Sequence, residues 1–185
     1  MPDQGKLSDY AALVRRWAPH LDLVSPRDLE RFEDRHIADS LRLVPLMDDL
    51  PEGPCIDVGS GAGPPGIPLA IVRPERHWRL LEPSTRRAGF LEEVVRSLGL
   101  ACEVLHLTAE AAAEEDRLRR AHVLATARAL APPPAAARLI EPLVHPGGIG
   151  AIFVGPDAEL PARAALWTTG VAIIRIESPE QGISG

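Results

Sequence analysis

Lysine is almost absent from this chain: Lys6 is the only one among 20 basic residues, and the rest are arginine. Acids outnumber bases by 26 to 20, for a formal net charge of −6. That balance excludes a uniformly basic surface for indiscriminate nucleic-acid binding, but not a local basic patch. One tyrosine, three phenylalanines and three tryptophans leave few platforms on which bases could stack. The two cysteines, Cys55 and Cys102, stand in separate apolar segments without metal-ligand or redox spacing. They exclude a disulfide scaffold and a zinc site, and read as buried thiols in a reducing cytoplasm. No apolar run approaches the length of a membrane span, and the polar start MPDQGKLSDY does not resemble a signal peptide. With 185 residues, 45% of them hydrophobic, one domain with a sizeable core is expected, cytoplasmic and without a membrane partner.

What is present is concentrated between Pro54 and Ile71, PCIDVGSGAGPPGIPLAI. Cys55-Ile56-Asp57-Val58 fits a buried strand broken by one acid. Gly59-Ser60-Gly61-Ala62-Gly63 then places three glycines in five residues, which lets the backbone turn tightly and approach a ligand. Pro64-Pro65-Gly66 leads into a helix, because proline is tolerated in a first helical turn. Strand, glycine turn and helix start form a nucleotide-type site at the carboxyl end of a strand. Gly61, Gly63 and Gly66 satisfy the dinucleotide string G-x-G-x-x-G. Asp57, Gly59, Gly61 and Gly63 satisfy the D-x-G-x-G-x-G string of S-adenosylmethionine (SAM) methyltransferases. His77 to Glu82 reads as the next strand, and its closing acid, Glu82, lies 19 positions after Gly63, where a carboxylate can accept from two ribose hydroxyls in either class. The plain alternative is a glycine turn with a capping acid.

Around this stretch the pattern alternates. Residues 1–50 read as a helical cap: a helix from Leu7 to Trp17 capped by Ser8 or Asp9 and stopped by Pro19, a turn opened by Ser25-Pro26, and a helix from Asp34 to about Asp49 kinked at Pro45. Residues 51–177 read as an α/β core, with helices at 65–72, 84–98 and from about Glu110. A helix at 132–144 and a further one at 156–167 complete that set. Six strands are expected, at 55–58, 77–81, 102–107, 122–125, 149–154 and 171–176, in a mostly parallel Rossmann-like sheet covered on both faces. A tail from Ser178 to Gly185 is expected to be disordered.

Three strings resemble the bacterial 16S rRNA guanine-N7 methyltransferase family, known as RsmG or glucose-inhibited division protein B. Asp57 to Ile71 is very close to that family's DVGSGAGFPGIPLAI, Arg35 to Leu41 matches its RHIxDSL, and Arg128-Ala129 sits where it has SRA. Asp22-Leu23-Val24 is similar to its NLT, and Gly147-Gly148 falls where expected. The resemblance covers roughly residues 7–156. It implies a class I SAM-dependent methyltransferase fold, α/β and mostly parallel, with SAM bound near Asp57, Gly59, Ser60, Gly61, Gly63, Pro64, Glu82, Ala109, Glu110 and Arg128. It implies 16S rRNA or the small-subunit particle as partner and no metal; His36, Asp39 and Arg128 are the candidate catalytic residues. The chain departs from the family at Pro64 (phenylalanine or leucine there), Thr108 (arginine), Val154 (lysine) and Asp22 (asparagine). A last strand of the family looks missing.

Guanine N7 has a free lone pair and loses no proton before attack, so no general base is needed. His36 and Asp39 are three apart on one helix face, read either as a packed histidine with a capping acid or as a polar pair at the substrate mouth. Arg86 and Arg87 can meet phosphate or face solvent. Three functions follow: an rRNA guanine-N7 methyltransferase, a SAM-dependent methyltransferase of a small heterocycle, suggested by the acidic charge, and a non-catalytic SAM-binding protein, suggested by Pro64.

Overall fold

The computed structural model describes residues 3–178. Helix α1 runs from Gln4 to Leu21, longer than expected at both ends. Asp3, not Ser8 or Asp9, is its cap and accepts from the Lys6 amide. Pro19 does not stop it. It lies in the last turn, and the helix ends where Asp22 turns left-handed at φ 46°. The Arg86 guanidinium donates to the His20 carbonyl at 2.6 Å, satisfying one of the end carbonyls. Leu7, Tyr10, Ala11, Val14 and Ala18 form the buried stripe. Ser25 caps α2 (Pro26–Glu30) with Pro26 at its first position, as expected.

The single helix expected from Asp34 to Asp49 is instead three pieces. A wide π-helical stretch covers Phe32–Ile37, α3 covers Ala38–Leu41, and α4 covers Val44–Asp48. Pro45 has no N–H to bond back to Leu41, so the chain breaks at Arg42-Leu43 and restarts with proline in a first turn.

The sheet has seven strands in the order β3-β2-β1-β4-β5-β7-β6. They are β1 (Cys55–Val58), β2 (Trp78–Leu81), β3 (Cys102–Leu105), β4 (His122–Arg128), β5 (Val144–Phe153), β6 (Ala165–Thr168) and β7 (Val171–Arg175). β1 to β5 pair in parallel, and β7 pairs antiparallel with both β5 and the edge strand β6. Helices α5 (Gly66–Val72), α6 (Thr85–Leu98), α7 (Ala109–Glu114) and α8 (Pro133–Ile140) connect them. One face carries α1, α5, α6 and α4, the last through Leu43, Leu46 and Met47. The other carries α7 and α8. Burial is the main favourable term, about 1.5–3 kcal/mol for each large apolar side chain removed from water.

Two expectations change here. The helix expected over 156–167 is absent, because Pro161 would fall inside it and Gly155 precedes it. Its end is β6, the seventh strand. Seven strands are thus present where six were expected, and the described residues lack a helix between β5 and β6. β4 also runs to Arg128 rather than Ala125, since Thr126, Ala127 and Arg128 pair with Ala151, Ile152 and Phe153. The expected tail lies, beyond Ser178, outside the described residues.

Candidate functional site

The strand order reverses between β1 and β4, which are neighbours although far apart in sequence. In open α/β sheets the crevice above such a point receives ligands. β1 ends there in the glycine loop and β4 ends there in Arg128.

Asp57 does not reach the crevice. It is buried beneath the loop, accepting from the Thr126 hydroxyl at 2.6 Å and the Gly66 amide at 3.4 Å. A Cβ on Gly66 would lie 2.9 Å from Asp57 Cβ, so glycine is required for this approach. Burial pushes the Asp57 carboxyl up to about 6, against the pull of the Thr126 hydroxyl. Its expected place among cofactor contacts gives way to holding β1, β4 and the start of α5 together.

Glu82, at the end of β2, lies behind the loop. One carboxylate oxygen accepts from the Gly61 amide and the other from the Ser84 amide, both at 2.9 Å. Thus Glu82 satisfies the start of α6, where the Ser84 side chain makes no capping bond. A carboxylate has about four acceptor sites, and these bonds use two of them; Glu82 itself is 3% exposed and lines neither hollow.

The loop borders a hollow of about 210 Å³ lined by Gly59, Ser60, Gly61, Ala62, Pro64, Leu23, Val24, Arg87, His36, Arg128 and Ala129. A second hollow of about 450 Å³ adjoins it through the shared His36, Arg128 and Ala129, and adds Asp28, Arg35, Asp39, Arg42 and Phe153. The first alone is below the roughly 300 Å³ of a typical ligand pocket; the two together are not. Gly63 is packed under Tyr10 instead. Ala109 is buried and Glu110 exposed at the start of α7, and neither borders either hollow. A larger hollow, about 560 Å³, lies beyond the opposite end of β2 between Met47, Glu52 and Arg76. There Arg76 donates to the carbonyls of Met47, Leu50 and Pro51, so its polar group is spent closing α4.

Arg128 joins the two hollows. It donates to the His36 carbonyl at 3.4 Å, lies 3.6 Å from Asp39 and sits over the Phe153 ring at 5.4 Å. Burial lowers its pKa and Asp39 opposes that. His36 stacks on Phe32 and leaves its buried Nε2 without a hydrogen-bond partner, 3.7 Å from Asp28. Burial, then Arg128, lowers the His36 pKa, which favours the neutral ring. Of the other mouth cations, Arg35 pairs with Asp28 at 2.8 Å and Arg42 with Asp39 at 3.2 Å, while Arg87 borders the glycine-loop hollow. Ala129 follows Arg128 in left-handed backbone, φ 51°. The expected trio of His36, Asp39 and Arg128 is thus brought together.

Sequence reading misses Thr126, Phe153 and the role of Tyr10. A buried phenol needs an acceptor, and that was the available signal for Tyr10. Nothing in sequence spacing announces Thr126 or Phe153.

The sheet order, the antiparallel β7 and the glycine loop at the switch point define a class I SAM-dependent methyltransferase fold. A Corynebacterium glutamicum crystal structure has the same fold, with TM-score 0.63 and 12% identity over 92% of this chain and 90% of that one. A candidate SAM-dependent methyltransferase of Methanococcus maripaludis aligns with TM-score 0.53 and 18% identity, covering 70% of this chain and 62% of that one. Within that class, residues 3–165 match the family model for rRNA small subunit methyltransferase G, GidB, and the chain belongs to that family. The Acidiphilium cryptum ribosomal RNA small subunit methyltransferase G is 39% identical, over 92% of this chain and 82% of its own length.

Proposed function

We propose that this chain transfers a methyl group from SAM to N7 of a guanine in 16S rRNA, acting on small-subunit RNA or its particle. The observation that carries the reading is the junction at Arg128, where a glycine-loop hollow and a wider polar hollow meet over the switch point. The residues present fit the donor. At Gly61, with φ +54°, an added Cβ would meet nothing nearer than 3.8 Å, so the loop leaves open room where its backbone turns left-handed. Gly59, Ser60, Gly61 and Pro64 would hold the amino-acid end, and Glu82 the ribose. Ala109 and Glu110 border neither hollow, so they would meet the adenine only if it extends past Glu82 to the start of α7. When bound, SAM supplies an electrophilic methyl group on a sulfonium.

The chain's own part is to bind, orient and exclude water. Arg128, fixed by Asp39, the His36 carbonyl and Phe153, presents a planar cation that can stack on a base or donate to its edge. His36 offers an unpaired Nε2 to the same base. Holding the acceptor in line at about 3 Å accounts for much of such catalysis. No base needs to be ionised first, consistent with a neutral His36 and with carboxylates already paired to arginines.

The test is incorporation of labelled methyl from SAM into small-subunit RNA from a strain lacking its own enzyme, with the site read by cleavage at N7-methylguanosine. Label at a guanine supports the reading. RNA left unlabelled, with label appearing in a small-molecule extract, would turn it toward a small heterocyclic acceptor.

A further inference from the structure

The chain's single tyrosine is fully buried on α1, yet it is chemically tied to the glycine loop. Its hydroxyl donates to the Ala62 carbonyl at 2.7 Å, across 52 residues of sequence. That oxygen and the Gly63 amide belong to one planar peptide unit. The amide donates to the Ser60 carbonyl at 2.7 Å. The peptide is thus gripped at both edges. Nothing fits between: a Cβ on Gly63 would lie 2.6 Å from the Tyr10 hydroxyl, at φ +113°. Phe32 meets the Tyr10 ring edge-on, with centroids 5.6 Å apart, and itself stacks on His36 at 5.3 Å. The ring is therefore wedged, and its hydroxyl has one direction to point.

Other ties of the loop run to β2 and the residue after it. The Gly59 and Ser60 amides donate to the Leu81 carbonyl, and the Gly61 amide to Glu82. The sheet holds the loop from one side, and α1 holds it from the other.

We propose that Tyr10 is a positioning residue for the donor site. By holding the Ala62–Gly63 peptide, it keeps Gly61 and Gly63 in the left-handed turns that leave the hollow open. The amino-terminal helix then sets donor affinity as well as covering the sheet. This rests on reading the loop as the SAM site.

The test compares Tyr10→Phe with Val14→Ala, a change at another fully buried position one turn along the same helix. Both variants lower thermal stability, so stability alone does not discriminate. Titration calorimetry with SAM, on full-length protein held well below the unfolding transition, does. Tyr10→Phe is expected to bind about tenfold more weakly, the scale of one lost hydrogen bond, and Val14→Ala within twofold of wild type. Hydrogen exchange without SAM gives a second reading: Gly61 and Gly63 amides exchange about tenfold faster in Tyr10→Phe and not in Val14→Ala. Tyr10→Phe matching wild type in affinity, or unchanged exchange at those amides, would overturn the proposal. A wild type that does not bind SAM would overturn the cofactor reading, and this inference with it.

Discussion

Two histidines, one near each end of the sheet, show how differently the same side chain is used. His122 starts β4 and is completely buried. Its Nδ1 donates to the Leu143 carbonyl at 2.8 Å, and its Nε2 accepts from Arg79 at 2.9 Å. A carbonyl can only accept and a guanidinium can only donate, so these partners impose one neutral tautomer. Arg79 continues to Glu103 at 3.2 Å, and Glu103 to Arg117 at 2.8 Å. His36, beyond the carboxyl ends, is also mostly buried but keeps one ring nitrogen unpartnered beside two hollows. A saturated polar group stabilises; an unsaturated one leaves hydrogen-bonding capacity unused in the fold.

The contrast can be broken most sharply at Arg128. Arg128→Ala should lower methyl transfer by 100-fold or more, about 2.7 kcal/mol of transition-state stabilisation, while unfolding shifts little. Single-turnover assays at saturating SAM read this, and turnover within threefold of wild type would refute the site. At the other end, His122→Phe should cost about 2–3 kcal/mol in urea unfolding, because it strands the Leu143 carbonyl and Arg79. SAM affinity should not change; if it does, the two ends are coupled.

A pH experiment sharpens the same comparison. Asp57 is raised from 3.8 to about 6, so it contributes stability that is full below 3.8 and lost as pH rises through 6. His122 is lowered from 6.5 to about 4, so its contribution is full above 6.5 and lost as pH falls through 4. Between pH 4 and 6 the two offset. Asp57→Asn removes the first and should leave stability falling with acidity at a limiting slope of about 1.4 kcal/mol per pH unit. Urea melts at several pH values test this, and a flat profile in the variant would contradict it. The smallest effect is expected at His36→Leu: under about 0.5 kcal/mol in stability, because its Nε2 has no bond to lose, but about fivefold in turnover. A large stability loss with unchanged turnover would make His36 a core residue after all.

The glycine loop, the parallel strands and the partnership of His36, Asp39 and Arg128 were legible because local strings carry them. Glycines with positive φ must be written into the sequence where the chain turns. The misreadings came from tertiary context. Pro19 looked like a stop, but the helix runs on through it at the loss of one bond to the Arg15 carbonyl, and Asp22 ends it instead. Asp57 looked like a ligand contact, but Thr126, a neighbour only across the sheet, claims it. Residues 165–168 lie too close to Pro161 for a helix, yet nothing local marks them as an edge strand until β7 offers a partner. Tyr10 was legible as core but not as a donor, since its acceptor lies 52 residues away.

Ala129 carries a consequence for anyone screening variants of this chain. Its left-handed backbone is strained for alanine by about 1 kcal/mol, which glycine would relieve, yet glycine adds about as much freedom to the unfolded chain. Ala129→Gly would therefore pass unnoticed through a selection for thermostability. A selection for turnover is the sharper screen, because this bend follows Arg128 directly and borders both hollows.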